Sequence, residues 1–294
     1  MESIYNIIRE YKPLITISTL DNYIQSLKKL LQLLNTEDTK VLQDYDKVSD
    51  AISYMSELSR RNVFNAIIVY LQATKVDIDI INKYVATRDV YNTNYAEFTK
   101  KNEKSTSQRL NWLSEKEISD TLEYQKVFCF QKYLLLRMLQ SMPVRNDFRN
   151  LIMVTKAKYN KLTAEEKVHN NYFCRSQKPV SYQIALNNYK TCGKYGEKII
   201  EVDSELYKDI SKFLRLNKNA SYLFTKANGG PFDTIEFTKY VQSIFSRTNK
   251  KVGTTMLRHI FASLSGAEAL AKQKKLANTM GHSLEMNNDY IKID

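Results

Sequence analysis

The chain has 294 residues, enough for two domains of ordinary size, and its 43% hydrophobic content allows a sizeable core. Lysine and arginine (44) outnumber aspartate and glutamate (32), and the resulting net charge of +12 favours a polyanionic partner. No apolar run approaches the roughly 20 residues that cross a bilayer, and the first residues are too charged for a secretion signal. We therefore expect no membrane partner, no secretion, and a location in the cytoplasm or nucleus of a host cell.

Cysteine and histidine usage argues against a metal centre. Cys129, Cys174 and Cys192 are widely spaced, as is typical of proteins in a reducing compartment. The sequence has only three histidines, so we expect neither a metal site nor a cofactor. The 20 tyrosines and the frequent asparagine, lysine and isoleucine residues are typical of an AT-rich genome, such as that of a large DNA virus, a virophage or another mobile element.

Residues 1–103 are predicted to form a helical domain. Apolar residues at helical spacing begin at Leu20 and continue to Leu34, after a cap at Ser18 or Thr19. Further helices are predicted from Val48 to Leu58, from Arg61 to Ala73, and from Asp77 onward. The candidate phosphate contacts of this domain are the basic residues Lys28, Lys29, Arg60 and Arg61.

A polar, charged stretch at residues 104–111 is predicted to be a linker, and residues 112–294 a second domain. Ser114 and Glu117 have the spacing of a capping box that starts the first helix of this domain. The apolar run from Val127 to Leu139 predicts a buried helix, which Pro143 ends just before Arg145.

The middle of the second domain is predicted to contain a small antiparallel sheet. Its strands are expected near residues 172–174 and in a hairpin formed by residues 184–191 and 197–202. Residues 151–154 are expected to form either a strand or a helical turn. Lys190 ends the first strand of this hairpin, and Lys194 lies in its turn. With helices predicted for residues 203–216 and 232–248, the fold class is mainly α with a small antiparallel β-sheet.

The last segment, from Thr254 to Asp294, combines residues that suit phosphodiester chemistry. Arg258 lies in an apolar helical run, His282 lies in a Gly-His-Ser turn, and Tyr290 follows. An arginine fork matches two phosphate oxygens, and a histidine adds a donor near neutral pH. A tyrosine can attack phosphorus and hold the strand covalently.

The runs LRHIFAS and MGHS followed by a tyrosine resemble the catalytic end of tyrosine recombinases, the phage-integrase type. The resemblance implies that Arg145 and Arg258 clamp the scissile phosphate and that His282 assists them. It assigns Tyr290 as the nucleophile that forms a 3′-phosphotyrosyl bond. It also implies a lysine that protonates the leaving 5′ oxygen, for which Lys190 is preferred and Lys194 is the rival.

The same resemblance implies a site-specific DNA recombinase or integrase that needs no metal. Residues 1–103 would be the core-binding domain, which grips double-stranded DNA, and residues 112–294 an α+β catalytic domain. Synapsis of two DNA sites would require a homotetramer.

One position departs from the family pattern. Thr255 stands three residues before Arg258, where the family usually has histidine, while His259 directly follows the arginine. Two alternatives stay open. One is a related enzyme, a type IB topoisomerase or a telomere resolvase, which shares this chemistry. The other, which Thr255 favours, is a catalytically weak DNA-binding relative.

Overall fold

The computed structural model describes residues 2–281, 283, 284 and 286, and these residues divide into two compact units, Met1–Glu103 and Lys104–Asp294. The fold class is mainly α, as predicted. The helices of the first unit are α1 (Glu2–Tyr11), α2 (Ile17–Leu33), α3 (Tyr45–Ala51), α4 (Glu57–Ala73) and α5 (Ile78–Lys101).

The helices of the first unit enclose an aromatic and aliphatic core around α4. Phe64 on α4 and Tyr84 on α5 are fully buried, with ring centroids 5.3 Å apart. The Tyr84 hydroxyl donates to the Leu42 carbonyl at 2.9 Å, so its buried polar atom is satisfied. Burial, reinforced by the nearby Asp44 carboxylate, raises the pKa of this phenol.

Two predicted boundaries in this unit are wrong. The N-cap of α2 is Thr16, whose hydroxyl accepts from the Thr19 N–H, and not Ser18 or Thr19. The helix predicted from Val48 to Leu58 is interrupted, because Ser56 caps the start of α4 instead. Apolar spacing alone did not reveal that a new helix begins there.

The second unit contains further helices around a small sheet. Its helices are α6 (Thr106–Asn111), α7 (Glu115–Phe128), α8 (Phe130–Ser141), α9 (Lys156–Lys161), α10 (Ala164–Val168), α11 (Cys192–Tyr195), α12 (Ser204–Leu216), α13 (Thr234–Ile244) and α14 (Thr254–Met280). Its strands are β1 (Ile152–Thr155), β2 (Asn171–Gln177), β3 (Val180–Leu186) and β4 (Lys198–Glu201).

The described strands lie in the order β1-β2-β3-β4. The pairs β2–β3 and β3–β4 are antiparallel as predicted, whereas β1 pairs parallel with β2. The helices α9 and α10, which lie between β1 and β2 in the chain, return it to the end of the sheet where β1 begins. This crossover permits the parallel pair. The sheet is therefore mixed.

Alternation along β2 divides the apolar side chains between the two faces of the sheet. Phe173 packs into the main core with Tyr182 and Ile184, while Tyr172 and Cys174 pack on the opposite face. Burial raises the pKa of the Cys174 thiol to about 12, so this cysteine is a neutral core residue at physiological pH.

Local signals set several boundaries of this unit. Ser114 and Glu117 form the predicted capping box. The predicted linker, in contrast, contains α6, which has its own capping box between Ser105 and Gln108. The continuous apolar helix predicted from Val127 is wrong, since the chain breaks at Cys129 and leaves Val127 exposed at the end of α7.

Candidate functional site

The segment that carries Arg145 is a short exposed turn fixed at both ends. The helix α8 ends at Ser141, and a 3-10 helix spans Asn146–Phe148. The fully buried Phe148 anchors this turn in the core, whereas Arg145 is exposed. The backbone N–H of Arg145 donates to the Asp147 carboxylate at 3.2 Å.

Arg258 on α14 reaches this same turn. Its Nε donates to the Pro143 carbonyl at 3.1 Å, which ties the guanidinium to the segment two residues before Arg145. Burial lowers the pKa of Arg258, the positive charge of Arg145 lowers it further, and Asp147 opposes both effects. Arg145 and Arg258 are therefore brought together, although 113 positions (258 − 145) separate them in the sequence.

Asp147 is the carboxylate of this cluster. Burial raises its pKa, and the N–H of Arg145 and the charges of Arg145, Arg149 and Arg258 act against that rise. One carboxylate among three guanidinium groups leaves the cluster positive, which is the electrostatic requirement for binding an anion. That Arg149 adds its charge to this cluster was not predicted from the sequence.

The raised pKa of Asp147 gives a pH-dependent prediction. The folded state binds this proton more tightly than the unfolded chain does, so the contribution to stability is full below the ordinary aspartate pKa and is lost as pH rises through the folded value. An Asp147→Asn variant lacks this loss. We expect the free energy of unfolding of the variant minus that of the wild type, measured in urea from about pH 4 to about pH 7, to increase as pH rises. Parallel curves for the two proteins would contradict the assignment.

Asn146 joins the Arg145 turn to two helices. Its side-chain carbonyl accepts from the Thr254 hydroxyl at 2.8 Å, and its amide donates to the Thr238 hydroxyl at 3.0 Å. Thr254 is the first residue of α14, so this contact fixes where the helix bearing Arg258 starts. Asn146 directly follows Arg145 in the sequence, but its role in joining the turn to two helices was not predicted.

A cavity of about 360 Å³ lies beside Asn146. Its lining includes Thr255 and His259, which are one helical turn apart on α14, and Gln108 on α6. Thr255 and His259 are both exposed. Thr255, which stands where the family pattern has histidine, therefore lines the same cavity as Asn146.

Asn171, at the start of β2, connects the Arg145 turn to the segment that leads to Lys190. Its amide donates to the carbonyls of Asp147 at 3.1 Å and Asn188 at 3.0 Å. Its side-chain oxygen accepts from the N–H groups of Asn187 at 2.9 Å and Asn188 at 2.8 Å. This buried side chain thus uses two donors and two acceptor sites. In the sequence, asparagines stand at the facing ends of two paired strands, and this pattern could have indicated the connection.

Removing the Asn171 amide should be costly. We expect Asn171→Ala to lower the free energy of unfolding by about 3 kcal/mol, because several buried backbone groups lose their partners. Chemical denaturation measures this change. Asn188→Ala is the matched control, because its exposed amide makes one bond, to the His169 carbonyl, and its loss should cost about 1 kcal/mol or less. Equal effects would contradict the role of Asn171.

Lys190 and Lys194 lie in the connection between β3 and β4, and both are exposed. The prediction that Lys190 ends a strand is wrong, because β3 ends at Leu186, and the predicted turn contains the short helix α11. The Lys194 ammonium lies 5.2 Å from the centroid of the Tyr195 ring. Gly196, with φ +67°, closes this connection in a conformation that favours glycine.

A buried tyrosine braces the end of that connection. Tyr159 on α9 donates to the Glu197 carboxylate, and its hydroxyl also accepts from the Asn187 amide at 3.2 Å. Burial first, and the bond to Glu197 second, raise the pKa of this phenol. The Lys167 ammonium lies 3.9 Å from Glu197 and completes the network.

His282 and Tyr290, the last two predicted site residues, lie outside the described residues. The basic residues predicted for the first unit have two different environments. Lys28 and Lys29 are exposed on α2. Arg60 and Arg61 stack on tyrosines of α5, with guanidinium carbons 5.0 Å from the Tyr91 centroid and 5.1 Å from the Tyr95 centroid, respectively.

The described residues contain no cluster of histidine, cysteine or acidic side chains that could hold a metal ion. None of the helices within the described ranges is both long and apolar enough to cross a membrane.

No protein-family model matches this sequence, and no curated protein matches it. Among solved structures, the chain is similar to one described as the crystal structure of XerA recombinase, with 16% sequence identity over 99% of this chain and 94% of that chain. The TM-score of 0.37 describes a low overall similarity between the two folds.

Proposed function

We propose that this chain is a site-specific DNA recombinase or integrase that breaks and rejoins strands through a 3′-phosphotyrosyl intermediate. The observation that carries the proposal is the positive cluster of Arg145 and Arg258 around the half-buried Asp147. Arg258 uses its Nε on the Pro143 carbonyl, and its terminal amino groups make no hydrogen bond within the described residues. These groups can therefore take the non-bridging oxygens of a phosphodiester.

In the proposed reaction, the Tyr290 phenol gives its proton to water as its oxygen attacks phosphorus, and the bond to the 5′ oxygen breaks. The two arginines stabilise the charge that develops on the non-bridging oxygens. Lys190 gives its proton to the departing 5′ oxygen, and His282 donates to the phosphate. The released 5′ hydroxyl of a partner duplex then attacks the phosphotyrosine and regenerates the phenol. Rejoining in this way needs no external energy source, because each phosphodiester bond broken is replaced.

The test is a nicked suicide duplex that contains a site selected by the protein from random-sequence DNA. After cleavage a short fragment diffuses away, so the covalent adduct accumulates and is resolved on a denaturing gel. Wild-type protein should form the adduct and Tyr290→Phe should not, while both bind the duplex equally. An adduct that persists in Tyr290→Phe would defeat the nucleophile assignment.

A second function, a DNA-binding relative with little or no cleavage, is favoured by Thr255. This side chain lines the cavity beside Asn146 where the family pattern has histidine, and a hydroxyl cannot act as a base near neutral pH. Specific binding of the selected duplex without any adduct from the wild type would establish this second function. Adduct formation would exclude it.

A further inference from the structure

The connection between β3 and β4, residues 187–197, carries Lys190 and is held at both ends by one hydroxyl group. Tyr159 on α9 donates to the carboxylate of Glu197, the last residue of the connection. The same hydroxyl accepts from the side-chain amide of Asn187, the first residue, at 3.2 Å. This phenol therefore closes the base of the connection and makes it a loop.

The ring of Tyr159 is fixed against the sheet, so its hydroxyl is a rigid point of attachment. The side chain is only 5% exposed and packs with Tyr172 and Cys174 of β2. The rings of Tyr159 and Tyr172 meet edge to face, with centroids 5.2 Å apart. The Lys167 ammonium lies 4.3 Å from the Tyr159 centroid and 3.9 Å from the Glu197 carboxylate, so it holds the partner of the hydroxyl in place.

The connection is also bonded across its interior. The Tyr189 hydroxyl donates to the Gly196 carbonyl at 2.9 Å, and the N–H of Gly196 donates to the Cys192 carbonyl at 2.7 Å. Lys190 directly follows Tyr189, so any opening of the connection moves the backbone that carries this lysine. The Lys190 side chain is exposed, and a flexible lysine stem on the surface is positioned mainly by its own backbone.

We infer that Tyr159 is a positioning residue for the general acid of the proposed reaction. Its hydroxyl closes the connection and thereby keeps the Lys190 ammonium within reach of the departing 5′ oxygen. The inference rests on the proposed function and deepens it. A general acid is effective only within hydrogen-bond reach of the atom that it protonates, so a lysine on an open, unbraced loop is out of position for much of the time. Tyr159 acts through Lys190 and touches no reacting atom.

The experiment measures single-turnover cleavage of the nicked duplex by full-length protein. Tyr159→Phe keeps the ring and removes the hydroxyl, and we expect it to slow adduct formation about 20-fold. On a duplex with sulfur in place of the bridging 5′ oxygen, the same variant should cleave within about 3-fold of the wild-type rate, because a thiolate leaves without a proton. In a Lys190→Ala background, adding Tyr159→Phe should cost less than about 2-fold more. A general loss of stability would produce neither the rescue nor this coupling.

Two matched substitutions separate the brace from the packing around it. Tyr172→Phe removes a hydroxyl from the same cluster, where it donates to the Glu166 carbonyl at 2.8 Å and not to the connection. It should cleave within about 2-fold of the wild type. Glu197→Gln retains an oxygen that accepts from Tyr159 and should cleave within about 3-fold of the wild type, whereas Glu197→Ala should match the loss in Tyr159→Phe. Far-ultraviolet circular dichroism verifies that all variants are folded.

Hydrogen exchange tests the position of the connection without any DNA. The N–H of Cys192 donates to the Tyr189 carbonyl at 3.0 Å, and the N–H of Gly196 is bonded within the same loop. Both amides should exchange about 5-fold faster in Tyr159→Phe, because the loop opens more often. Their exchange should not change in Tyr172→Phe.

Three results would overturn the inference: a normal cleavage rate in Tyr159→Phe, a defect equally large on the oxygen and sulfur duplexes, or unchanged exchange in the connection. Its failure can be told from failure of the proposed function by the wild type. A wild type that forms no adduct defeats the proposed function, and this inference with it. Wild-type cleavage that is insensitive to Tyr159→Phe defeats the inference alone.

Discussion

Replacing Arg258 with alanine should lower the rate of covalent adduct formation about 10³-fold, equivalent to about 4 kcal/mol of transition-state stabilisation. The guanidinium is held by the Pro143 carbonyl and sits in a cluster with excess positive charge, so it meets the phosphate already oriented. Single-turnover cleavage of the nicked duplex at saturating protein measures the loss. Duplex affinity, measured separately, should fall much less than the rate.

Two variants make this prediction specific. Arg258→Lys keeps the charge but loses both the planar fork and the bond to Pro143, so it should recover less than about 10-fold of the lost rate. Arg149→Ala removes the same charge from the same cluster around Asp147, without removing a proposed phosphate ligand. It should slow cleavage less than about 10-fold. If Arg149→Ala and Arg258→Ala are equally slow, general electrostatics explains the effect and a phosphate clamp does not.

Local signals in the sequence were sufficient for much of the secondary structure. The capping box of Ser114 and Glu117 appears in the structure as predicted, and the helix predicted for residues 203–216 is α12, which buries Leu206, Ile210 and Phe213. Each of these features depends on residues within one to three helical turns of each other. Periodicity and capping encode such contacts directly.

Features that depend on distant residues could not be predicted in this way. The break at Cys129 lies within a continuous apolar run, whose pattern cannot tell one buried helix from two. The parallel pairing of β1 with β2 depends on the path of the chain through α9 and α10. Strand alternation is the same for either direction of pairing, so this pairing has no local signature.

The candidate site shows the same division. Arg145 and Arg258 could be selected by resemblance, and the structure brings them together around Asp147. The polar side chains that hold the site together, Asn146 and Asn171, were missed because their partners lie far away in the sequence. A single asparagine has many possible roles, and only tertiary contacts show which of its donors and acceptors are used.

The choice between Lys190 and Lys194 can be decided by changing the leaving group. Asn171 connects the Arg145 turn to the backbone at Asn188, two residues before Lys190, whereas Lys194 lies on α11 against Tyr195. We therefore expect Lys190→Ala to slow adduct formation about 10²- to 10³-fold and Lys194→Ala to slow it less than about 5-fold.

The mechanism of the Lys190 effect predicts a chemical rescue. If this lysine protonates the 5′ oxygen, a substrate with sulfur at that bridging position should not need it, because a thiolate leaves without a proton far more readily than an alkoxide does. Lys190→Ala should then cleave the sulfur-containing duplex within about 10-fold of the wild-type rate, while Arg258→Ala should remain slow on both substrates. A Lys190→Ala defect that is equally large on oxygen and sulfur substrates would remove Lys190 as the acid. If sulfur rescues only Lys194→Ala, the general acid is Lys194 on the helix α11. Its ammonium stands next to an aromatic ring and not beside the backbone held by Asn171.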